Sequence, residues 1–275
     1  MQLFLGIDGG GTGCRAAVAD AAGVILGRGA AGPANIASDP AGAAANILAA
    51  AEAAVAAAGG GTIAAAGLGL AGANAAGAPE RLRSALPWPR MAVVTDAITA
   101  VKGALGSGDG IVAALGTGSV FAVQRAGAIR QIGGRGLVLG DEASGAWIGR
   151  AILADALRAV DGFTARTPLL AALVDEMGGP DGVVTFSLRA RPADFAALAP
   201  RVVESDDPAA VTVMARAEAD VAEAVDLLRG GDDLSVVFLG GLGTVFATRM
   251  AVRFPVREAL GTALDGALSL AREVA

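Results

Sequence analysis

The chain has no histidine and no tyrosine, one cysteine (Cys14) and one lysine (Lys102) among its 275 residues. Without histidine there is no His-based triad, no imidazole general base and none of the usual zinc constellations. The single lysine, in VKGA, excludes a Walker A sequence GxxxxGK[ST] and the lysine arrangement of protein kinases. One cysteine cannot close an intramolecular disulfide, and its place in an apolar stretch predicts a buried thiol. Aromatics make up 4% of the chain, and a net charge of −6 with scattered arginines leaves no basic stripe, which argues against nucleic acid as a partner. No uninterrupted apolar run reaches the roughly 18 residues of a membrane span. The start, MQLFLGID, lacks the basic region of a signal peptide, so the sequence reads as a cytoplasmic protein with no membrane partner. Chemistry on such a chain has to run on carboxylates, hydroxyls, backbone amides, arginine or a bound metal.

What the chain does have is glycine beside hydroxyls and carboxylates at the ends of apolar runs. LFLGIDGGGTGCRAAVAD (3–20) is a strand, a tight turn and a strand. Gly9, Gly10 and Gly11 are free to take positive φ, so their amides and the Thr12 hydroxyl can form a nest for a phosphate. Asp8 at the strand end can reach a Mg²⁺ directly or through water. An ordinary glycine hairpin explains the same residues.

A third strand is expected at 23–30, a helix capped by Asp39-Pro40 up to about residue 58, a strand at 62–72, a short helix, a strand at 91–96 and a helix at once after it. The order restarts at GIVAALGTGS (110–119) with two further strands, then helices at 141–158, 164–177, 192–204 and 208–229, a strand at 235–241 and a terminal helix. Two βββαβαβα units are expected, a duplication with a hinge near 96–110, and two similar lobes make a cleft.

A second glycine–hydroxyl turn, Gly116-Thr117-Gly118-Ser119, ends the strand equivalent to the first, so the two turns would oppose each other over one polyphosphate. A third turn, Gly240-Gly241-Leu242-Gly243, lets a flat ring lie on backbone or simply joins a strand to a helix. Asp96 ends an apolar strand and opens a helix: it can cap that helix, and it can deprotonate a hydroxyl nucleophile. Asp141 and Glu142 follow the glycine-rich GGRGLVLG and suit either helix capping or sugar hydroxyls. Gly67-Leu68-Gly69-Leu70-Ala71-Gly72 matches GxGxxG, but no helix opens on its third glycine.

Taken in order, these segments resemble the actin/hexokinase/Hsp70 ATPase superfamily. Within it they resemble the BadF/BadG/BcrA/BcrD ATPase family, in its branch of N-acetylglucosamine and glucosamine kinases. The resemblance rests on LGIDGGGTGCRAAVAD, GPANIAS, VVTDAITAV, ALGTGSVFAV, GGRGLVLGDEASGAWIGR and FLGGLG. It implies a two-lobed actin-like, ribonuclease H-like α/β fold, with residues 1–106 as the N-terminal lobe and 107–275 as the C-terminal lobe, the last helix free to pack back on the first. It implies ATP and Mg²⁺ as cofactors, with Asp8 holding the metal through water and Gly10, Gly11 and Thr12 the γ-phosphate. Gly116, Thr117, Gly118 and Ser119 would contact phosphates, and Gly240 and Gly241 adenosine. Asn35, Gly134 and Asp141 would hold sugar hydroxyls, and Asp96 would be the base on the primary hydroxyl. A homodimer follows from the resemblance alone. Arg135 departs from the family, which often has an aromatic there, and Cys14 alone cannot supply the paired cysteines of the dehydratase activators. The reading is an ATP-dependent amino-sugar 6-kinase; the alternatives are a catalytically silent ATP or sugar sensor, and a dinucleotide-binding oxidoreductase built on the GxGxxG.

Overall fold

The computed structural model describes residues 1–275, which divide into two units. The first comprises Met1–Asp109, Gln124–Ile129 and Glu258–Ala275, and the second Gly110–Val123 and Arg130–Arg257. The chain order is β1 (Gln2–Gly9), β2 (Cys14–Ala19), β3 (Ile25–Ala31), α1 (Pro40–Ala57), β4 (Thr62–Leu70), α2 (Ala78–Ala85), β5 (Met91–Val94) and α3 (Asp96–Leu105). Then follow β6 (Gly110–Leu115), β7 (Ser119–Arg125), β8 (Ala128–Gly133), α4 (Gly145–Val160), α5 (Pro168–Glu176), α6 (Pro180–Arg189), α7 (Pro192–Ala196) and α8 (Ala199–Val203). The last elements are α9 (Pro208–Arg229), β9 (Val236–Leu239), α10 (Gly243–Met250) and α11 (Ala263–Glu273).

The first sheet has the order β3-β2-β1-β4-β5, with β1–β2 and β2–β3 antiparallel and β1–β4 and β4–β5 parallel. Along β1 the side chains alternate, as the pleat requires. Leu3, Leu5 and Ile7 are fully buried in one core with Ile47, Ala50 and Ala54 of α1, each of the leucines and isoleucines contributing about 1.5–3 kcal/mol. On the opposite face Gly6 lies under α11, where a Cβ would sit 2.8 Å from Leu268 Cγ. The second sheet, β8-β7-β6-β9, repeats the first four positions, with β9 parallel to β6. A fifth strand, expected from the duplication, is here only a single parallel bridge between Val236 and Val256.

Two local expectations change, and the strand-to-helix reading of the third glycine turn is met. No element is expected over 178–191, and the structure forms helix α6 there, opened by Pro180 in its first turn with Asp181 beside it. The helix expected over 192–204 breaks into α7 and α8, because Pro200 brings no N–H to the ladder. GTVFATRM, after the third glycine turn, is helix α10.

α1 is the one helix long and apolar enough by composition to cross a bilayer. Its Ala43, Ile47, Ala50, Ala51 and Ala54 are buried, and it packs on β3 and β2, where Gly27 and Gly29 bring the strand against the backbone of the helix.

The GxGxxG glycines are all accounted for by packing. A Cβ on Gly67 would lie 2.7 Å from the backbone nitrogen of Ala271 in α11. One on Gly69 would overlap the Thr99 side chain of α3, and Gly72, at φ +83°, lies against Asn35 and Ala37. β4 is thus flanked by helix backbone, which explains the motif without a dinucleotide.

Candidate active site

In the first unit the strands β1 and β5 flank β4, and the ladder aligns Asp8 with Gly69 and Gly69 with Val94. Asp8 therefore emerges at the C-terminal end of β1, and Asp96 opens α3 two residues past the end of β5, with β4 between the two strands. Their proximity is felt electrostatically. Asp96 is open to solvent on one side, but protein displaces water from the rest, and this desolvation raises its carboxyl above the usual value. The Ala97 amide, donating to Oδ1 at 2.9 Å, pulls the other way, and the negative charge of Asp8 adds to the rise. A carboxylate made more basic at a strand end, beside a second acid, is suited to accept a proton from a hydroxyl. Next to it the Thr99 hydroxyl donates to Asp96 O at 3.0 Å, and Thr95 Oγ1 is buried without a hydrogen-bond partner.

The turn after β1 is closed by Gly10 N–H donating to Gly13 O at 2.9 Å, and Ala34 N–H donates to Gly10 O at 2.8 Å. None of Gly9, Gly10 and Gly11 takes positive φ, so left-handed backbone is not why glycine stands there. Gly9 is glycine because a Cβ would lie 2.7 Å from Leu70 Cδ2 and 2.8 Å from Ala34 Cβ. Gly10 and Gly11 face open space, which leaves room at bare backbone for a ligand. Thr12 is exposed beside them.

The same bonding brings Asn35 to this end of the sheet: Ala71 N–H donates to Gly9 O and Ile36 N–H to Ala71 O, at 2.9 and 3.0 Å. Asn35 Oδ1 is taken by the amides of Ala37 and Ser38, leaving its Nδ2 as the group for a ligand. Cys14, buried at the start of β2, has its thiol pushed up to about 12 by burial and then by Asp8, so it stays protonated and unreactive.

Asp8 is the residue that fits a Mg²⁺. That ion keeps most of its water and is held by one or two carboxylates plus substrate phosphates. A single carboxylate, 13% exposed, next to an open glycine turn meets this donor requirement, and no cluster of three or more ligating side chains offers a protein cage instead.

In the second unit the turn 116–119 is held by the segment before α4. Gly145 N–H donates to Gly116 O at 2.8 Å and Ala146 N–H to Thr117 O at 3.2 Å. Thr117 is exposed and Gly116 meets open space, whereas Ser119 is not: its hydroxyl donates to Glu142 O at 2.7 Å and the residue is 5% exposed. The expectation that the Ser119 hydroxyl faces a phosphate is corrected accordingly; it straps the turn to the 141–144 segment.

Asp141 is 8% exposed, accepts from Gly136 N–H at 3.0 Å and lies over Gly118, whose Cβ would stand 2.8 Å from Oδ2. Asp141 (φ +56°) and Ala143 (φ +62°) hold left-handed backbone, a strain of about 1–2 kcal/mol for alanine that is found preferentially at functional segments. Gly134, also left-handed, is exposed and donates to Ser119 O.

The two neighbouring acids part company. Glu142 is exposed and lines a cavity of about 290 Å³ with Asp220 and Glu223 of α9, where burial and then the Glu142 and Glu223 charges raise Asp220. Gly240 (φ +87°) crosses the β6 end so closely that a Cβ would be 2.7 Å from Leu115 C, while Gly241 faces open space. Leu242 N–H donates to Leu115 O, so the 240–242 turn and the 116–119 turn share one strand end.

Gly11 and Gly116 therefore separate folding from binding. Gly11→Val and Gly116→Val have room for the side chain and no left-handed backbone to strain, so their unfolding midpoints should stay within about 0.5 kcal/mol of the parent. If the two turns hold ATP, as the family resemblance implies, the stabilisation by added ATP, about 2.7 kcal/mol at 100 Kd, should vanish in both. Thermal unfolding with and without ATP reads both; a retained ATP shift would remove the turns from the site.

The sequence profile of the BadF/BadG/BcrA/BcrD ATPase family matches residues 5–260. The chain is 30% identical to the glucosamine kinase of Vibrio cholerae serotype O1 over 231 residues, 80% of this chain and 78% of that one. Its fold is similar to that of a candidate N-acetylglucosamine kinase from Chromobacterium violaceum, with a TM-score of 0.84 and 33% identity over 98% of this chain and 99% of that one. A glucokinase of the ROK family from Streptomyces griseus, crystallised with glucose and AMPPNP, shares the fold at a TM-score of 0.60 and 22% identity, over 98% and 99% of the two chains.

Proposed function

Because this chain belongs to the BadF/BadG/BcrA/BcrD ATPase family, we propose that it is an ATP-dependent kinase that phosphorylates the 6-hydroxyl of an amino sugar, glucosamine or N-acetylglucosamine. The observation that carries the reading is the pair Asp8 and Asp96 at the ends of β1 and β5, on either side of β4 and beside an open glycine turn, with Asp96 made more basic.

Asp96 accepts the proton of the 6-hydroxyl as its oxygen attacks the γ-phosphorus, and the bond to the β-phosphate oxygen breaks to release ADP. The open backbone at Gly10 and Gly11 admits the γ-phosphate, held by the Gly11 amide and the Thr12 hydroxyl, while the Gly10 N–H closes the turn on Gly13 O. In the second unit Gly116, Thr117 and Gly118 contact phosphates, and Gly240 and Gly241 contact adenosine. Asn35 Nδ2, Gly134 and Asp141 hold sugar hydroxyls. Asp8 would hold a Mg²⁺ through water, and the ion would supply positive charge to the phosphates. Transfer of this kind depends on positioning and charge more than on covalent chemistry, which suits a chain without histidine. A single buried cysteine suits the cytoplasm, and the homodimer is proposed on the family likeness.

The test is a panel of hexoses and amino hexoses with ATP and Mg²⁺, read by ADP release and by the mass of the product. Phosphorylation of glucosamine or N-acetylglucosamine is expected, and no turnover of any amino sugar would overturn the proposal.

A further inference from the structure

In the second unit a cavity of about 510 Å³ opens between α4, α6, α7 and the 137–138 segment, and none of its lining residues is among those assigned to ATP or sugar. α4 supplies one wall: Arg150, Leu153, Ala154 and Leu157 stand at i, i+3, i+4 and i+7 and so share a face of the helix. Val183 and Ser187 of α6 and Pro192 and Phe195 of α7 line the rest. Gly149 brings α4 against α7 so closely that a Cβ would lie 1.9 Å from Phe195 O, and the Phe195 ring meets that of Phe186 edge to face at 5.4 Å, so this side is firmly built. Leu137 is buried, whereas Val138 beside it is 87% exposed.

The charge of the cavity is unbalanced. No carboxylate lines it, and Arg150 is its one charged residue. Arg201, Arg216, Arg249 and Arg253 each face an acid on the surface. Arg150 makes no ion pair, and its one hydrogen bond is from Nη1 to Leu137 O at 2.8 Å. The other N–H groups of its planar fork are left for an anion, and that fork matches a carboxylate at two points. Ser187 offers no competing donor, since its hydroxyl donates to Val184 O at 2.8 Å. One unpaired positive charge beside aliphatic walls suits a ligand with an apolar body and a singly charged head. A phosphate monoester, near −2 at neutral pH, would bring more negative charge than one guanidinium neutralises.

We propose that this cavity binds a medium-chain aliphatic carboxylate, with its chain against Leu153, Leu157 and Val183 and its head on Arg150. The apolar walls supply affinity in proportion to chain length, and the guanidinium supplies selection for the acid.

The test is calorimetry of the full chain with hexanoate, octanoate and decanoate below their micelle concentrations, with octan-1-ol as the neutral probe. Affinity for the acids should rise roughly tenfold for every two carbons added. Arg150→Met should weaken octanoate about tenfold or more, as loss of a charge-assisted contact does, and change octan-1-ol less than about twofold. Ala154→Phe places a ring in the cavity from an exposed helix position and should abolish binding of both probes with the unfolding midpoint unchanged. Should Ala154→Phe fail to fold, Arg150→Met decides alone. No saturable binding of any of the acids would overturn the proposal, and so would equal octanoate affinity in the parent and Arg150→Met. Sedimentation velocity over a concentration series tests the other occupant: a dimer that dissociates in Ala154→Phe would make the cavity an interface between two copies and would also overturn the proposal.

Discussion

Asp96→Asn is expected to lower kcat by about 10²- to 10⁴-fold while the affinity for ATP stays within about twofold of the parent. The substitution is nearly isosteric. Asparagine keeps an Oδ1 to accept the Ala97 amide, and the backbone carbonyl that accepts the Thr99 hydroxyl is untouched, so α3 keeps its start. What disappears is the capacity to take a proton. Steady-state kinetics with the preferred amino sugar, together with calorimetric ATP binding, reads both quantities, and parental turnover in Asp96→Asn would remove Asp96 from the base role.

The raised value of Asp96 fixes the sign of two pH effects. Only the ionised form accepts the proton, so kcat/KM should fall with decreasing pH, and the fall should begin at higher pH than for a free aspartate. For stability the direction is opposite. Between the unfolded value and the raised folded value the native state binds more protons, so the contribution of Asp96 to stability declines as pH rises through that window. At neutral pH Asp96→Asn should therefore be at least as stable as the parent: a variant with almost no activity and no loss of fold. The same desolvation that makes the carboxylate a base makes its charged form a liability to the native state.

Gly266→Val is expected to destabilise the first unit by about 3 kcal/mol or more, a large share of the 5–15 kcal/mol that holds a domain folded. α11 crosses α3 at two facing glycines. A Cβ on Gly266 would stand 2.6 Å from the backbone nitrogen of Gly103, and one on Gly103 would stand 2.6 Å from the carbonyl carbon of Thr262. Both neighbours are backbone and cannot rotate away, so the helices would have to part. Parting them exposes Leu264 and Leu268, which pack with Ala17 and Ala19 of β2, and the buried Leu270, at about 1.5–3 kcal/mol for each fully exposed side chain. Lys102 and Glu273, paired at 2.7 Å, and the Arg90 contact to Ala275 O add exposed ties that cannot compensate. Denaturant unfolding measures the effect, with Gly11→Val as the control for a glycine that has room. A loss below about 1 kcal/mol would show that the helices can separate without cost to the sheet.

The composition and the spacing of apolar residues were enough for a good deal. The absence of histidine left carboxylates as the bases, and Asp8 and Asp96 stood out because each ends an apolar run. Turn residues and a cap such as Asp39-Pro40 marked the elements of the first unit, since these signals act within a few residues of chain. The tertiary structure decided what depends on contacts through space. The GxGxxG of β4 lacks, already in the chain, the helix that a ligand loop needs, but only the fold shows why its glycines are there: α11, about two hundred residues away, needs the room at Gly67. Asp141 and Glu142 are equivalent in sequence, yet one is buried over Gly118 and the other opens to a separate cavity beside α9. Ser119 shows no sign in sequence that its hydroxyl is spent on Glu142 O. The basicity of Asp96 is likewise a property of the assembled sheet, for desolvation and the field of Asp8 arise only when β1, β4 and β5 lie side by side. Periodicity and turn chemistry are local and are written in the chain; close backbone approach, burial and Coulomb interaction are not, and they are what turn its glycines and acids into a site.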